Sequence, residues 1–295
     1  MIDISIVIVN YNTRKLLVDC LNSIFKNTKN LNYEVIVVDN GSTDGSVEEI
    51  QNLKSKIQSS SWRTELKIIE NKQNLGFAKA NNQGIKIARG RYILLLNSDT
   101  KIVDNALKKL VDFAKIKPNL GVLGPRLLNK DGSFQPSAGR FFTLPWAILW
   151  LMTGDKFLYS SPAKSKKVEW VMGAAFLVSR RAIEKAGLLD ENFFMYMEEV
   201  EWCWRIKKAG FQIWFYPEAE IYHLVRGSSP EGEQKAILWI YQGLIYFYQK
   251  HFAWWQLAML KLALRIKAIS GWLIGFLIAN RYLKDTYAKA FKMVR

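Results

Sequence analysis

Four runs of β-branched and aliphatic residues, alternating with amphipathic helical patterns, set narrow limits on what the first 115 residues can fold into. Residues 4–9 read ISIVIV. A strand with so little polar alternation is buried on both faces, as in a parallel sheet covered by helices. Leu16, Leu17, Cys20, Leu21 and Ile24 follow at helical spacing. Residues 34–38, 66–69 and 92–96 repeat the strand pattern. Helical patterns run over 46–53, 77–88 and 107–114. Ser46 and Glu49 have the spacing of a capping box, and Gly90 and Pro118 act as stop signals. This alternation predicts an α/β fold with a mostly parallel sheet flanked by helices.

Beyond Pro118 the texture changes. Turn signals surround Asp131-Gly132, and residues 141–154 form an aromatic stretch with no charge until Asp155, apart from Arg140 just before it. Residues 171–178 read as a strand, 180–186 as a short helix and 198–209 as a longer one closed by Gly210. Residues 211–216 and 219–223 read as further short strands. From about Glu233 the chain becomes aromatic, aliphatic and basic with helical periodicity. The expected organisation is a catalytic domain over residues 1–232 and an amphipathic, basic helical tail over 233–295.

Charge follows the same division. The whole chain carries 42 basic against 26 acidic residues, a net +16. From Lys235 onward ten basic residues face only Asp285, so 10 − 1 = +9 of that excess lies in the tail. Such an excess calls for an anionic partner. The tail is too aliphatic for nucleic acid, and no RNP, zinc-finger or helix-turn-helix pattern accompanies it. Its longest charge-free piece falls short of the roughly 18–20 residues a spanning helix needs. Basic residues interleaved with Trp, Leu and Ile suit a helix lying among lipid headgroups. The alternative is a helix packed on the catalytic domain or on a second copy, and apolar tail helices are compatible with a homodimer. Cys20 and Cys203 show neither disulfide nor zinc spacing, which fits a reducing, cytoplasmic compartment. The amino terminus lacks a basic n-region and reads as a strand, not as a signal peptide.

Acids at strand ends carry the chemistry. Asp39 follows the strand EVIVV, and Asp99 follows YILLLNS. In open α/β sheets ligands bind where the carboxyl ends of the strands converge. The loop from Asn40 to Ser46 is densely polar and able to wrap a ligand. No GxGxxG or Walker lysine is present, so dinucleotide and P-loop readings are weak.

IVIVNYNT (6–13), VVDNGSTDGS (37–46), NLGFAKANNQG (74–84), LLLNSDT (94–100), the block 172–210 and YHLVRGSS (222–229) resemble, in order, the motifs of family 2 inverting glycosyltransferases with the GT-A fold. The likeness is strongest to the bacterial rhamnosyltransferase branch and covers residues 4–230. It implies transfer of a sugar from a nucleotide-diphosphate sugar, dTDP-rhamnose or a UDP-sugar, to a hydroxyl of a glycan or lipid-linked acceptor. The setting it implies is cell-surface polysaccharide synthesis at the inner face of the cell membrane.

The resemblance also implies roles. Asp99 stands in the DxD position and would hold a divalent metal (Mg or Mn), with His223 as a second ligand and Asn97 or Ser98 on sugar or ribose. Asn97 replaces the first acid of that motif. Asp39 would accept from a uracil or thymine imide, with Asn10, Tyr11 and Asn12 lining the same pocket. Asn40, Ser42, Asn74 and Asn81 belong to the donor loops, Arg226 and Ser228 would face the diphosphate, and Gly173 would let a sugar approach the backbone. Attack by the acceptor hydroxyl needs a general base. Glu199 aligns with the usual catalytic Asp, Glu198 is the alternative, and the helix N-terminus is expected to keep both ionised. Glu201 and Arg205, at i and i+4, form a structural pair. Against catalysis stands a scaffold reading: a non-catalytic nucleotide-binding or membrane-surface protein with the same fold, motivated by the substitutions at 97, 199 and 201.

Overall fold

The computed structural model describes residues 1–58, 64–224 and 232–294. Three strand–helix units open the chain: β1 (Ile4–Asn10) and α1 (Arg14–Asn27), β2 (Tyr33–Asp39) and α2 (Ser46–Gln58), β3 (Glu65–Glu70) and α3 (Phe77–Ile87). Then come β4 (Tyr92–Asn97), β5 (Thr100–Ile102), α4 (Ala106–Lys115), β6 (Leu120–Leu128), β7 (Phe134–Gln135) and β8 (Ala138–Gly139). They are followed by α5 (Leu144–Thr153), β9 (Tyr159–Ser160), β10 (Lys166–Lys167), β11 (Trp170–Val171), β12 (Ala175–Ser179) and α6 (Arg180–Ala186). The remainder is α7 (Glu198–Lys208), β13 (Gln212–His223), α8 (Gly232–His251), α9 (Trp254–Leu277) and α10 (Arg281–Met293).

The main sheet runs β10-β13-β6-β12-β4-β1-β2-β3. Strands β1 to β4 are mutually parallel where they pair, while β12 lies antiparallel between β4 and β6. After β1 the chain builds outward through β2 and β3, then returns to place β4 on the other side. That reversal opens a crevice at the carboxyl ends of β1 and β4. Register fixes what meets there: Asn10 pairs with Asp39, and Val9 with Asn97.

Strand alternation divides the core in two. Ile4, Ile6 and Ile8 of β1 face one side with Leu17, Leu21, Leu107 and Leu110 of α1 and α4. Val7 faces the other, packed with α3, α7 and α8. Gly84 lets α3 sit close, since a Cβ there would lie 2.4 Å from Val7 Cγ1. Tyr241, Leu244, Phe247 and Tyr248 of α8, and Leu260 and Leu264 of α9, belong to this second core. The helices after residue 232 therefore share the core of the sheet.

Three local expectations need correction, and one stretch left without an assignment gains one. No capping box forms at Ser46. Asp44 is the capping group instead, its Oδ1 accepting from Ser46 N (3.1 Å) and Ser46 Oγ (2.5 Å). The strand expected at 171–178 is broken at Gly173 into β11 and β12, which lie in different sheets. The two short strands expected at 211–223 are one strand, β13, with an irregularity between Tyr216 and Glu220. The stretch 141–154 contains a helix, α5, which packs against α9.

Candidate active site

At the crevice the polar ends of β1, β2 and β4 are knit together. Asp39 is buried. Its Oδ1 accepts from the backbone N–H of Gly41 (3.2 Å) and Ser42 (2.8 Å), and its Oδ2 from Asn10 Nδ2 (2.9 Å). Three accepted bonds leave a two-oxygen carboxylate with room for another donor. Ser42 Oγ accepts from Asn12 N (2.9 Å) and Asn10 Nδ2 (3.0 Å), and Asn12 Oδ1 accepts from Thr43 N (2.8 Å). Asn12 does this at φ 53°, a left-handed conformation Asn tolerates better than most residues. Tyr11 is half-buried between these asparagines. Thr13, which no sequence pattern singles out, joins two motifs: its Oγ1 donates to Asn10 Oδ1 (2.7 Å) and lies 2.9 Å from Ser98 Oγ.

Asn40 and Asn74 shape the loop. Asn40 Nδ2 donates to Asn74 Oδ1 (2.8 Å) and Gly76 O (3.3 Å), and its Oδ1 accepts from Asn71 Nδ2 (3.2 Å) and Leu75 N (3.1 Å). Two donors and two acceptor sites are thereby used, which gives the Asn40 side chain a scaffolding role in the donor loop. Asn81 is buried, and its Nδ2 donates to Phe77 O in its own helix (2.9 Å).

A second corner gathers Asn97, Asp99 and His223. Pairing of His223 with Thr100 across β13 and β5 brings the imidazole beside Asp99, Nε2 to Oδ1 3.4 Å. Gln135 Oε1 lies 2.9 Å from His223 Nδ1. This contact fixes the ring and turns Nε2 toward Asp99 and Asn97 Nδ2 (3.3 Å). Both oxygens of Asp99 are buried without a hydrogen-bond partner. A buried carboxylate with no hydrogen-bond donor is costly, and here it faces an imidazole nitrogen. Together they offer a carboxylate and an imidazole, a donor set that fits a divalent cation. Among the described residues no third His, Cys, Asp or Glu joins them, which leaves the remaining coordination to water or ligand oxygens. Arg226 and Ser228 lie outside the described residues.

The third component is the Glu198–Glu199 pair opening α7. Tyr196 and Met197, just before it, both hold positive φ (66° and 72°), a conformation that costs energy and persists only where the surroundings impose it. A helix N-terminus on its own would keep both glutamates ionised, as expected from the sequence. Burial overrides it: terminal-dipole stabilisation is about 0.3–1 kcal/mol, whereas full burial can move a carboxyl by several pK units. Glu198 is raised well above the usual carboxylate range by burial and by its neighbour's charge. Burial likewise pushes Glu199 up, to about 7, opposed by the backbone N–H groups of residues 199, 200, 173 and 197. An Oε2 of each carboxyl is buried and unpartnered.

Gly173 lies between the donor crevice and this pair. A Cβ there would meet only ordinary contacts, Phe77 at 3.6 Å and Glu199 Cβ at 3.8 Å. Packing therefore does not demand the glycine, and the space it leaves borders Glu199. Glu201 has the expected structural role: both its oxygens accept from Arg205 Nε at 2.9 Å. It also holds Lys250 (2.8 Å) and His251 (3.0 Å) of α8, contacts the sequence did not reveal.

Residues 5–187 match the family model described as Glycosyl transferase family 2. The chain belongs to that family. It is 26% identical over 244 residues to N-acetylglucosaminyl-diphospho-decaprenol L-rhamnosyltransferase of Mycobacterium tuberculosis, an alignment covering 75% of this chain and 76% of the relative. It is also 26% identical to the low-salt glycan biosynthesis hexosyltransferase Agl10 of Haloferax volcanii, over 72% of this chain and 64% of that one. Among solved structures, the mannosyltransferase PcManGT from Pyrobaculum calidifontis, in complex with GDP-Man and Mn2+, superposes with a TM-score of 0.59. That superposition has 16% identity and covers 99% of this chain and 85% of the other. TarS 1-349 of S. aureus in complex with UDP gives a TM-score of 0.56 at 17% identity, over 99% and 90% of the two chains. These structures share the GT-A fold with this transferase, and the scaffold reading gives way to an enzyme.

Proposed function

We propose that this transferase moves a sugar, with inversion, from dTDP-rhamnose or a UDP-sugar to a hydroxyl of a glycan or lipid-linked acceptor at the inner face of the cell membrane. The observation that carries the reading is the buried, unpartnered carboxylate of Asp99 facing His223 Nε2, one crevice away from Asp39 and from the Glu198–Glu199 pair. Asp99 and His223 would hold a divalent metal, which when bound neutralises charge on a departing diphosphate.

The chain's own residues divide the remaining work. Asp39 has capacity for one more donor and accepts the imide N–H of a uracil or thymine base. Asn10, Asn12 and Ser42 hold that carboxylate in place, and Tyr11 lines the pocket. Asn97 and Ser98 lie toward the sugar, and Gly173 leaves room for it. Glu199, with its affinity for a proton raised to about 7, takes the proton of the acceptor hydroxyl as the oxygen attacks. Glu198 stays protonated beside it, which removes the like-charge repulsion that two carboxylates would otherwise feel.

The names of the similar proteins support the acceptor class, since one acts on a diphospho-decaprenol-linked sugar. The basic tail supports the membrane setting, and no helix among the described residues is long and apolar enough to cross a membrane. The test is a transfer assay with purified protein, a panel of nucleotide sugars and a short lipid-linked acceptor, run with Mn2+ and with chelator. Product formed from a dTDP- or UDP-sugar only with metal supports the assignment, and metal-independent transfer refutes the Asp99–His223 part of it.

A further inference from the structure

The most exposed apolar surface of the molecule lies on α9, where side chains of three classes follow the helical repeat. Met259, Leu262, Ile266, Ile269, Leu273 and Leu277, spaced three or four residues apart, stand 45 to 78% exposed along one side. Leu260, Leu264, Ala268, Gly271 and Gly275, on the opposite side, are buried against the protein. Lys261 and Arg265 fall on one boundary between these sides, and Lys267 on the other. From Met259 to Leu277 the stripe is about 27 Å long at 1.5 Å per residue. A water-soluble surface rarely leaves so long an apolar stripe uncovered.

The buried side shows that the exposed one does not result from a loosely placed helix. Gly271 and Gly275 are spaced four apart and admit α10 to close contact. A Cβ on Gly271 would fall 2.4 Å from the Tyr287 ring, and one on Gly275 2.6 Å from Lys284 N. At the edge of this hairpin Trp272, Tyr287 and Phe291 line an apolar cleft of about 330 Å³ with Lys292 at its rim. Ile269 and Trp272 join the cleft to the stripe.

We infer that α9 lies in the plane of an anionic lipid surface with this stripe immersed among the acyl chains, Lys261, Arg265 and Lys267 at phosphate level, and the α9–α10 cleft holding part of one chain. The inference rests on the membrane setting proposed above and assigns the element and the face responsible. Charge decides among occupants. Ten basic residues against one acid from Lys235 onward would oppose a second copy of the same surface, whereas an anionic bilayer matches both the stripe and its flanks. Interleaved charges argue for a helix lying in the interface over one crossing it. Because α8 joins α9 to the loop before Glu198, with Trp239 against the rings of Phe194 (5.0 Å) and Tyr196 (6.4 Å), lipid-facing helix and base belong to one packed body.

The test is flotation with vesicles of phosphatidylcholine and phosphatidylglycerol, comparing the full chain with L262E/I266E. These side chains are exposed, so the variant should keep its thermal midpoint and nucleotide binding while vesicle partition falls at least about tenfold. In parallel, I266C labelled with a polarity-sensitive dye should shift to shorter wavelength on adding vesicles; the native cysteines are buried. If the unmodified chain ignores anionic vesicles, the membrane setting itself fails. If it floats and L262E/I266E floats equally, with no dye shift, the membrane setting stands and the assignment to α9 is overturned. A dimer in solution that the same substitutions dissociate, with flotation unchanged, overturns it in favour of a second copy.

Discussion

Adjacent glutamates at the start of α7 carry different proton affinities because different groups surround them. Four backbone N–H groups moderate the effect of burial on Glu199, whereas Glu198 has burial and a charged neighbour against it. Glu199→Gln should leave nucleotide binding intact and lower kcat by roughly 10²–10⁴-fold. If Glu198→Gln does so and Glu199→Gln does not, the base is the other residue. A base must be deprotonated to act, so kcat/KM should climb about tenfold per pH unit below about 7 and level off above it, a limb that vanishes in Glu199→Gln. Stability should move the opposite way. Both native carboxyls bind protons more tightly than unfolded ones, so the pair's contribution is greatest below the ordinary carboxylate range and is lost as pH rises toward 7. Glu198→Gln should therefore raise the thermal midpoint relative to the parent more at pH 8 than at pH 5. At this scale, what the sequence disclosed were the acids that end strands, because position alone makes them conspicuous. Thr13 and Gln135 stayed hidden because their roles exist only through partners 85 and 88 residues away.

Helix α8 supports the start of α7 at two points. Glu201, fully buried, binds Arg205 within α7 and Lys250 and His251 across to α8. Removing it takes the only carboxylate from Arg205 among the described contacts and leaves Lys250 with Asp190 alone, and Glu201→Ala should cost about 3 kcal/mol in denaturant unfolding. Gly243 is the second point, where a Cβ would approach Met197 Cβ to 2.9 Å. Gly243→Ala should push on the strained residue preceding Glu198 and lower kcat more than it raises donor KM, a split that steady-state kinetics resolves. Periodicity revealed the tail helices and the buried strands, yet it missed β6 and α5. Pro125 lies within β6, which ordinarily speaks against a strand. Here it stands where β13 shifts register between Tyr216 and Glu220. In α5 apolar residues occur all round the helix, so no polar face marks its period.

For the molecule as a whole, the division expected at residue 232 separates two compositions that share one core. Phe247 and Tyr248 are fully buried in the cluster that contains Val7 and Trp202, and Tyr248 Oη donates to Phe142 O (2.9 Å). A chain ending at residue 232 should lose cooperative unfolding and aggregate, which calorimetric scans would show. Composition could mark the change in character; it could not show that α8 completes the sheet's second layer, since that depends on which apolar face meets which. On this reading the crevice binds a nucleoside diphosphate through Asp39 and, with a divalent metal, through Asp99. Calorimetric titration of dTDP and UDP into the full chain and Asp99→Ala, with Mn2+ and with chelator, tests it most directly. Metal-dependent binding of at least one nucleotide, lost in a folded Asp99→Ala protein, is the result predicted. Equal binding with and without metal in both proteins, or no binding by the folded parent, would contradict it.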